Sequence, residues 1–430
     1  LLMTIPGLAL FYAGMVRSKN VLSVMMQCFA ITALITVLWT VYGYSVAFDT
    51  TGMVAGTTNF NSFFGGFGKA FFAGVERDSL VLAIPESVFA TFQLTFAIIT
   101  PALIVGAFAE RMRFGALLAF ITGWFTLSYL PIAHMVWAGP GGYLWDAGVI
   151  DFAGGTVVHI SAGVAALILA RMLGRRHDAG RTAILPHNVP MTLIGAGILW
   201  FGWFGFNAGS ALAANGIAAN AAITTHTAAA AGLLSWLLVD FIRTRHATAV
   251  GAATGAVAGL VAITPAAGYV SPMSAIAIGC IGSVCAYAAI QLRARTSVDD
   301  ALDVFACHGV SGIVGALATG VFATKLVNKN GADGLLTGNV HLLGVQAVAV
   351  LATIAFVSVM TPAVVLMVNA VTTIRISLAD ELSGVDTSEH REEGYHAGGL
   401  SEFAGQAVSL GQRVVLPAHE IFGRTVTSVE

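Results

Sequence analysis

The chain has 430 residues, of which 57% are hydrophobic and only 10% charged, with a formal net charge of −2 and a mean hydropathy of +0.83. Soluble domains carry roughly 25% charged residues, so the composition excludes one and indicates a polytopic membrane protein. No basic cluster suggests a nucleic-acid partner.

Apolar runs of roughly 17–25 residues mark helices able to cross a bilayer core of about 30 Å. Eleven such runs centre near Ala9, Leu34, Ile98, Phe120, Gly163, Leu199, Ala229, Ala258, Ile281, Gly315 and Phe356, predicting an all-α fold of eleven transmembrane helices. The first is short at its start: sixteen residues precede Arg17, about 24 Å of helix. Its outer end is therefore expected to be missing from this sequence, which is compatible with a cleaved signal peptide ahead of it. Residues 49–86 form a long Gly/Phe/Asn-rich loop between the second and third runs. From about Ile376 the apolar pattern stops. The expected division is a membrane domain over 1–375 and a cytoplasmic tail over 376–430.

Charge orients the bundle. One set of connections carries Arg17, Lys19, Arg111, Arg113, Arg171, Arg175, Arg176, Arg181, Arg243, Arg245, Arg293 and Arg295, and the alternate set only Lys69, Arg77, Lys325 and Lys329. By the positive-inside rule the N-terminus is outside and the C-terminus cytoplasmic.

Two patterns repeat along the chain. Asp151, His159 and Gly163 recur with the same spacing as Asp300, His308 and Gly312, and Phe11, Ala13, Gly14 and Asn20 as Phe206, Ala208, Gly209 and Asn215. Helices one to five then correspond to six to ten. Because five is odd, the second copy inserts upside down, an inverted 5+5 repeat followed by a final helix, with a site near the midplane.

Depth follows from this topology. His159 lies eight residues beyond Asp151 and His308 eight beyond Asp300, each about 12 Å along its helix, so the two approach the midplane from opposite faces. Ionisable residues inside a membrane are by default functional. A lone intramembrane histidine is as readily a core residue hydrogen-bonded across helices, but a symmetry-related pair favours transport. His226 has no counterpart at the matching repeat position and reads as structural or as a residue at the edge of the lumen. His134, His187 and His341 lie near helix ends, where ordinary polar contacts account for them.

A second cluster gathers at the outer end. Phe92 and Phe96 share one face of helix three, helix six ends with Trp203, Phe206, Asn207 and Ser210, and Trp137 follows helix four. Aromatic faces plus a hydroxyl suit a small cation that can also donate a hydrogen bond. Singly, each aromatic also fits an interfacial belt. Cys28, Cys280, Cys285 and Cys307 lie in apolar spans, where free cysteine behaves as a small hydrophobe, and neither disulfides nor a metal site are expected of them.

The segments TIPGLALFYAGMVRSKNVLS, ALIVGAFAERMRF, LSYLPIAHMVW, DFAGGTVVHISAG, GWFGFNAGSA and DVFACHGVSGIVGA resemble the ammonium transporters of the Amt/Mep/Rh superfamily, on the Amt side. The resemblance runs from about residue 1 to about 396. It implies a homotrimer of eleven-helix protomers, each with its own pore and no cofactor. Matched motif by motif, it implies that Trp137, Ser210 and Phe96 recruit ammonium and that Asp151 supports that site. It further implies that Phe96 and Phe206 form a stacked gate, and that His159, His308 and Trp203 line the pore. Trp137 and Ser210 distinguish the chain from Rh proteins and suggest a high-affinity scavenger. In bacterial relatives the cytoplasmic face binds a PII-type signalling protein, and that partner is expected here, although the extension after Leu400 has no match in the family.

Ammonium and potassium are nearly the same size, and moving either unsolvated into hydrocarbon costs on the order of tens of kcal/mol. Ammonium alone can shed a proton and continue as neutral ammonia, and neutral imidazoles can relay a proton. Three other classes compete. A metal-dependent membrane enzyme lacks a third ligand near either histidine and any HExxH motif. An ammonium sensor would keep the outer receptor without a conducting pore, and an Rh-like channel would pass neutral ammonia only.

Overall fold

The computed structural model describes residues 1–395. Apolar helices dominate: α1 (Thr4–Met15), α2 (Ser18–Phe48), α3 (Glu86–Phe108), α4 (Phe114–Trp137), α5 (Gly155–Leu173), α6 (Val189–Ala211), α7 (Gly216–Thr244), α8 (Ala249–Ile263), α9 (Pro272–Arg293), α10 (Phe305–Phe322) and α11 (Val340–Val371). Every centre expected from the sequence lies within one of them. Among the described residues nine are long and apolar enough to cross a membrane, while α1 and α8 are shorter. The short α8 has a local cause. Pro265 lacks the backbone N–H that would bond the Val261 carbonyl in the next helical step, and the helix stops at Ile263.

Helix starts follow side-chain chemistry. Asn188, Asn215, Thr248, Ser271 and Asn339 each accept a backbone N–H in the first turn of α6, α7, α8, α9 and α11, satisfying donors that have no partner within the helix. The loop of residues 49–86 adds a two-residue antiparallel pair, Leu80–Val81 with Ile84–Pro85, a small exception to the expected all-helical fold. His134, buried on α4, contacts the backbone oxygens of Ala47 at 2.9 Å and Asn61 at 2.7 Å and so pins this loop to the bundle.

The helices divide into an inner and an outer set. In α3, 78% of the apolar window is buried, against 33% in α7; α4, α5 and α10 belong with α3 at the centre. Equivalent helices of the two expected repeats meet each other. α1 lies on α6 where a Cβ on Gly195 would stand 2.2 Å from the Phe11 backbone nitrogen. α5 crosses α10 where a Cβ on Gly163 would stand 2.2 Å from the Gly309 nitrogen, and one on Gly312 3.1 Å from the His159 Cβ. The fixed spacing from His to Gly thus has a steric reason: each glycine admits the other helix beside its histidine.

At the basic end, buried charges are paired. Glu110 binds Arg17, and Asp299 binds Arg111 and Arg176. Burial opposes the Asp299 carboxylate, yet the hydrogen bond from Arg176 and the charge of Arg111 hold it down at about 2. Residues 376–395 close over this end rather than hanging free. Asp386 accepts the backbone N–H groups of Leu22 and Ser23, Glu389 that of Phe114, and Lys19 donates to the Leu382 carbonyl at 2.5 Å. The rest of the expected tail, 396–430, lies outside the described residues.

Candidate functional site

The site is built in two storeys. Asp151 precedes a π-helical turn, Gly155–Ile160, and its carboxylate accepts the N–H groups of Gly154, Gly155, Thr156 and Val157 at 2.7–3.2 Å. Asp300 does the same for Val304 and Phe305 ahead of the π-helical turn Phe305–Val310. Each turn carries its histidine near the bundle centre. A carboxylate held at a helix N-terminus favours the exposed donors there, so the repeated Asp fixes where the π-turn begins.

The two imidazoles meet. His159 Nδ1 and His308 Nδ1 are 3.3 Å apart and the rings lie within 24° of parallel. One proton serves that contact, so one ring carries hydrogen on Nδ1 and the other on Nε2. His159 Nε2 is buried with no protein partner. Trp203 stacks on the His159 ring at 5.5 Å and is held by a 2.9 Å bond from its indole N–H to Thr264 Oγ1. Around the pair, Leu8, Ile99, Leu103, Leu199 and Val257 line a lumen of about 10 Å³. That is room for about one water-sized particle, with the ring nitrogens of His159 and His308 as its polar contacts.

Above the lumen stand the rings of Phe96 and Phe206, the expected gate pair, with centroids 4.9 Å apart. They meet edge to face at 79°, so the stacked gate implied by the resemblance is here a T-shaped contact. Phe206 instead lies parallel to Trp203 and His159, at 13° and 14°. With that face taken, Phe96 presents the edge-to-face contact that ring quadrupoles favour.

Above the gate opens a vestibule of about 560 Å³, lined among others by Phe92, Phe96, Trp137, Asp151 and Ser210. Trp137 packs on Phe96 at 5.3 Å, and its indole N–H donates to the Asp151 carbonyl at 3.0 Å. Ser210 Oγ donates back to the Phe206 carbonyl at 2.9 Å, leaving its lone pairs as acceptors. Phe96, Trp137, Asp151 and Ser210 line the vestibule, and His159, Trp203, Phe206 and His308 line the lumen beneath it. Asp151 acts on the site through its backbone oxygen and the helix start, since its carboxylate is fully engaged.

For His226 only the lumen-edge alternative falls away. It lies on an exposed face of α7 against Trp200 and Phe204 and is not among the lumen residues, because the helical phase turns it outward. His187 makes the ordinary polar contacts expected of it, to Val16 and Tyr395. The sequence reading also missed Thr264 and a charged pair, Lys69 with Glu86, in the vestibule wall. Glu86 was visible as an acid directly after Pro85 at a helix start, but its partner sits in an irregular loop with no periodic signal.

Comparison with known proteins places these features. The family model for the Ammonium Transporter Family matches residues 1–395. A Bacillus subtilis ammonium transporter is 48% identical over 91% of this chain and 94% of its own length. The crystal structure of Candida albicans Mep2 superposes with a TM-score of 0.82 at 33% identity, covering 93% of this chain and 92% of that one. A structure titled sensor Amt protein superposes at 0.80 with 29% identity, covering 90% and 95%. With nine helices among the described residues apolar and long enough to span a bilayer and a family match over residues 1–395, the chain is an integral, multi-pass membrane protein belonging to the ammonium transporter family, a transporter and not an enzyme.

Proposed function

We propose that the chain takes up ammonium through the vestibule, gate and lumen just described. In this reading all eleven helices span the membrane, as inverted halves α1–α5 and α6–α10 followed by α11. The N-terminus is outside, 1–375 form the transport domain, and 376–430 lie on the cytoplasmic side. The assembly is a homotrimer with one pore per protomer, and a PII-type protein is the expected partner at the basic end.

Trp137 and Phe96 offer ring faces to NH4+, and the lone pairs of Ser210 accept a hydrogen bond from it. Potassium matches the first contact but not the second. Below the Phe96–Phe206 gate a cation would meet a lumen with too little volume for its water shell, so the proton is removed and NH3 continues. Along the lumen, His159 Nε2 and the shared Nδ1 contact provide both an acceptor and a donor, which suits a small neutral base and a relayed proton alike. The observation that carries this reading is the imidazole pair on a lumen of about 10 Å³ directly beneath an aromatic vestibule.

The test is flux and current in proteoliposomes with ammonium, methylammonium and potassium. Saturable ammonium transport without potassium transport is expected. Current carried by potassium would contradict the reading. Ammonia flux that follows gas concentration without saturation would favour an Rh-like channel, and saturable binding without flux would favour a sensor, the role named for one structural neighbour.

A further inference from the structure

The vestibule wall holds a cation of its own. Lys69 reaches from the loop of residues 49–86 to an ion pair with Glu86 Oε1, and its ammonium stands 5.8 Å from the centroid of the Tyr44 ring. Tyr44 donates its hydroxyl to the same carboxylate oxygen at 2.7 Å. Carboxylate, hydroxyl and ring face together make a cation site. Its occupant is a primary ammonium, the chemical relative of the proposed substrate.

The loop that delivers Lys69 is built for the purpose. The backbone N–H of Lys69 donates to Ser45 Oγ at 2.8 Å, Gly68 N–H to Asp49 Oδ2 at 2.8 Å, and Ser45 Oγ to the Gly66 carbonyl at 2.9 Å. Phe72 stacks on Tyr44 at 5.3 Å. Glu86 is only 5% exposed, so without Lys69 its charge would face the cavity unpaired.

Lys69, Glu86 and Asp151 are the charged side chains lining this vestibule, which gives it a formal charge of −1. We propose that Lys69 is a specificity-determining residue: a tethered ammonium that fills and neutralises the Glu86–Tyr44 site. Recruitment is thereby left to the rings and hydroxyl deeper in the vestibule and not to net negative charge. A negative cleft concentrates every cation alike, potassium included. A neutralised wall forgoes that general attraction and leaves the decision to the aromatic and hydroxyl contacts.

The proposal rests on the reading of the vestibule as the place where ammonium arrives. Four charge forms of the full-length protein, with Lys69→Arg as a conservative control, separate it from a structural clamp. Wild type and the Lys69→Met/Glu86→Gln double variant both leave −1, Lys69→Met leaves −2, and Glu86→Gln leaves 0. The relevant separation is long, because Glu86 and Phe96 lie ten residues apart on α3, about 15 Å. Saturation of ammonium uptake is measured in proteoliposomes, with and without potassium, at ionic strengths of about 0.01 M and 0.15 M. At the lower strength Lys69→Met should reduce the half-saturating ammonium concentration about threefold and let potassium compete, while Glu86→Gln should raise it by a similar factor. The double variant and Lys69→Arg should both stay near wild type, and the differences should shrink at the higher strength. Both single variants impaired with no recovery in the double, or all four alike, would overturn the proposal. A wild-type protein that moves no ammonium would overturn the transport reading, and this proposal with it.

Discussion

The vestibule and the lumen are adjacent along one path and differ in nearly every physical respect. The vestibule, at about 560 Å³, mixes rings, hydroxyls, amides and three charged side chains, while the lumen, at about 10 Å³, is apolar except for two imidazoles. The first can hold a cation while it keeps part of its water. The second cannot, because nothing there replaces the lost hydration. The contrast teaches that discrimination and passage are separate tasks. On the proposed reading, one region selects by contact and the other admits only what no longer carries the charge.

The largest effect should come from removing the lumen altogether. A Cβ at Gly163 would stand 2.2 Å from the Gly309 nitrogen, so Gly163→Val forces α5 and α10 apart and separates the histidines. Loss of all ammonium uptake and a lowered unfolding temperature in detergent are expected. A folded, active variant would show that the crossing tolerates separation and that the imidazole contact is incidental.

Truncating the vestibule should be milder. Cation–π attraction at Trp137 is worth roughly 0.5–2 kcal/mol, so Trp137→Leu should raise the half-saturating ammonium concentration about 2- to 30-fold and weaken discrimination against potassium in competition assays. An unchanged concentration dependence would remove Trp137 from recruitment.

A change away from both regions should leave transport selectivity alone. Asp299 titrates at about 2, below its ordinary 3.8. Its pairing with Arg176 and Arg111 therefore contributes stability that is complete above the unfolded value and lost as pH falls from about 4 to about 2. The shift corresponds to about 2 kcal/mol. Asp299→Asn should lower stability in detergent at neutral pH, with the gap to wild type closing through that window. A gap that persists unchanged to the acid end would assign the loss to packing.

Smallest of all should be deletion after Leu400. Membrane insertion and uptake should survive, with at most altered regulation; loss of membrane-inserted protein would mean that the extension belongs to the core.

Much of this was legible in the residues. The apolar runs located the eleven apolar helices found among the described residues, because sustained hydropathy marks what can lie in a bilayer. The repeated Asp–His–Gly spacing located the central pair, because the same capped turn and the same glycine crossing are used twice. What the sequence could not supply was facing and partnership. His226 lies in an apolar run, but helical phase turns it away from the lumen. The perpendicular meeting of Phe96 and Phe206 depends on His159 and Trp203, which come from other helices. Asp386, Glu389 and Glu381 read as a polar tail, yet their partners lie hundreds of residues earlier, beyond any local pattern. Lys69 was hidden for another reason: it sits in an irregular loop that carries no periodic signal.

The most direct measurement is a double-mutant cycle on the histidines, read as ammonium-driven current or flux in proteoliposomes with potassium as the control cation. If His159 and His308 act as one relay across their 3.3 Å contact, His159→Ala and His308→Ala should each cause a similar large loss, and the double variant should cost little more than either, because residues acting as a unit are not additive. Multiplicative losses in the double variant, or full selective ammonium transport with both imidazoles gone, would contradict it.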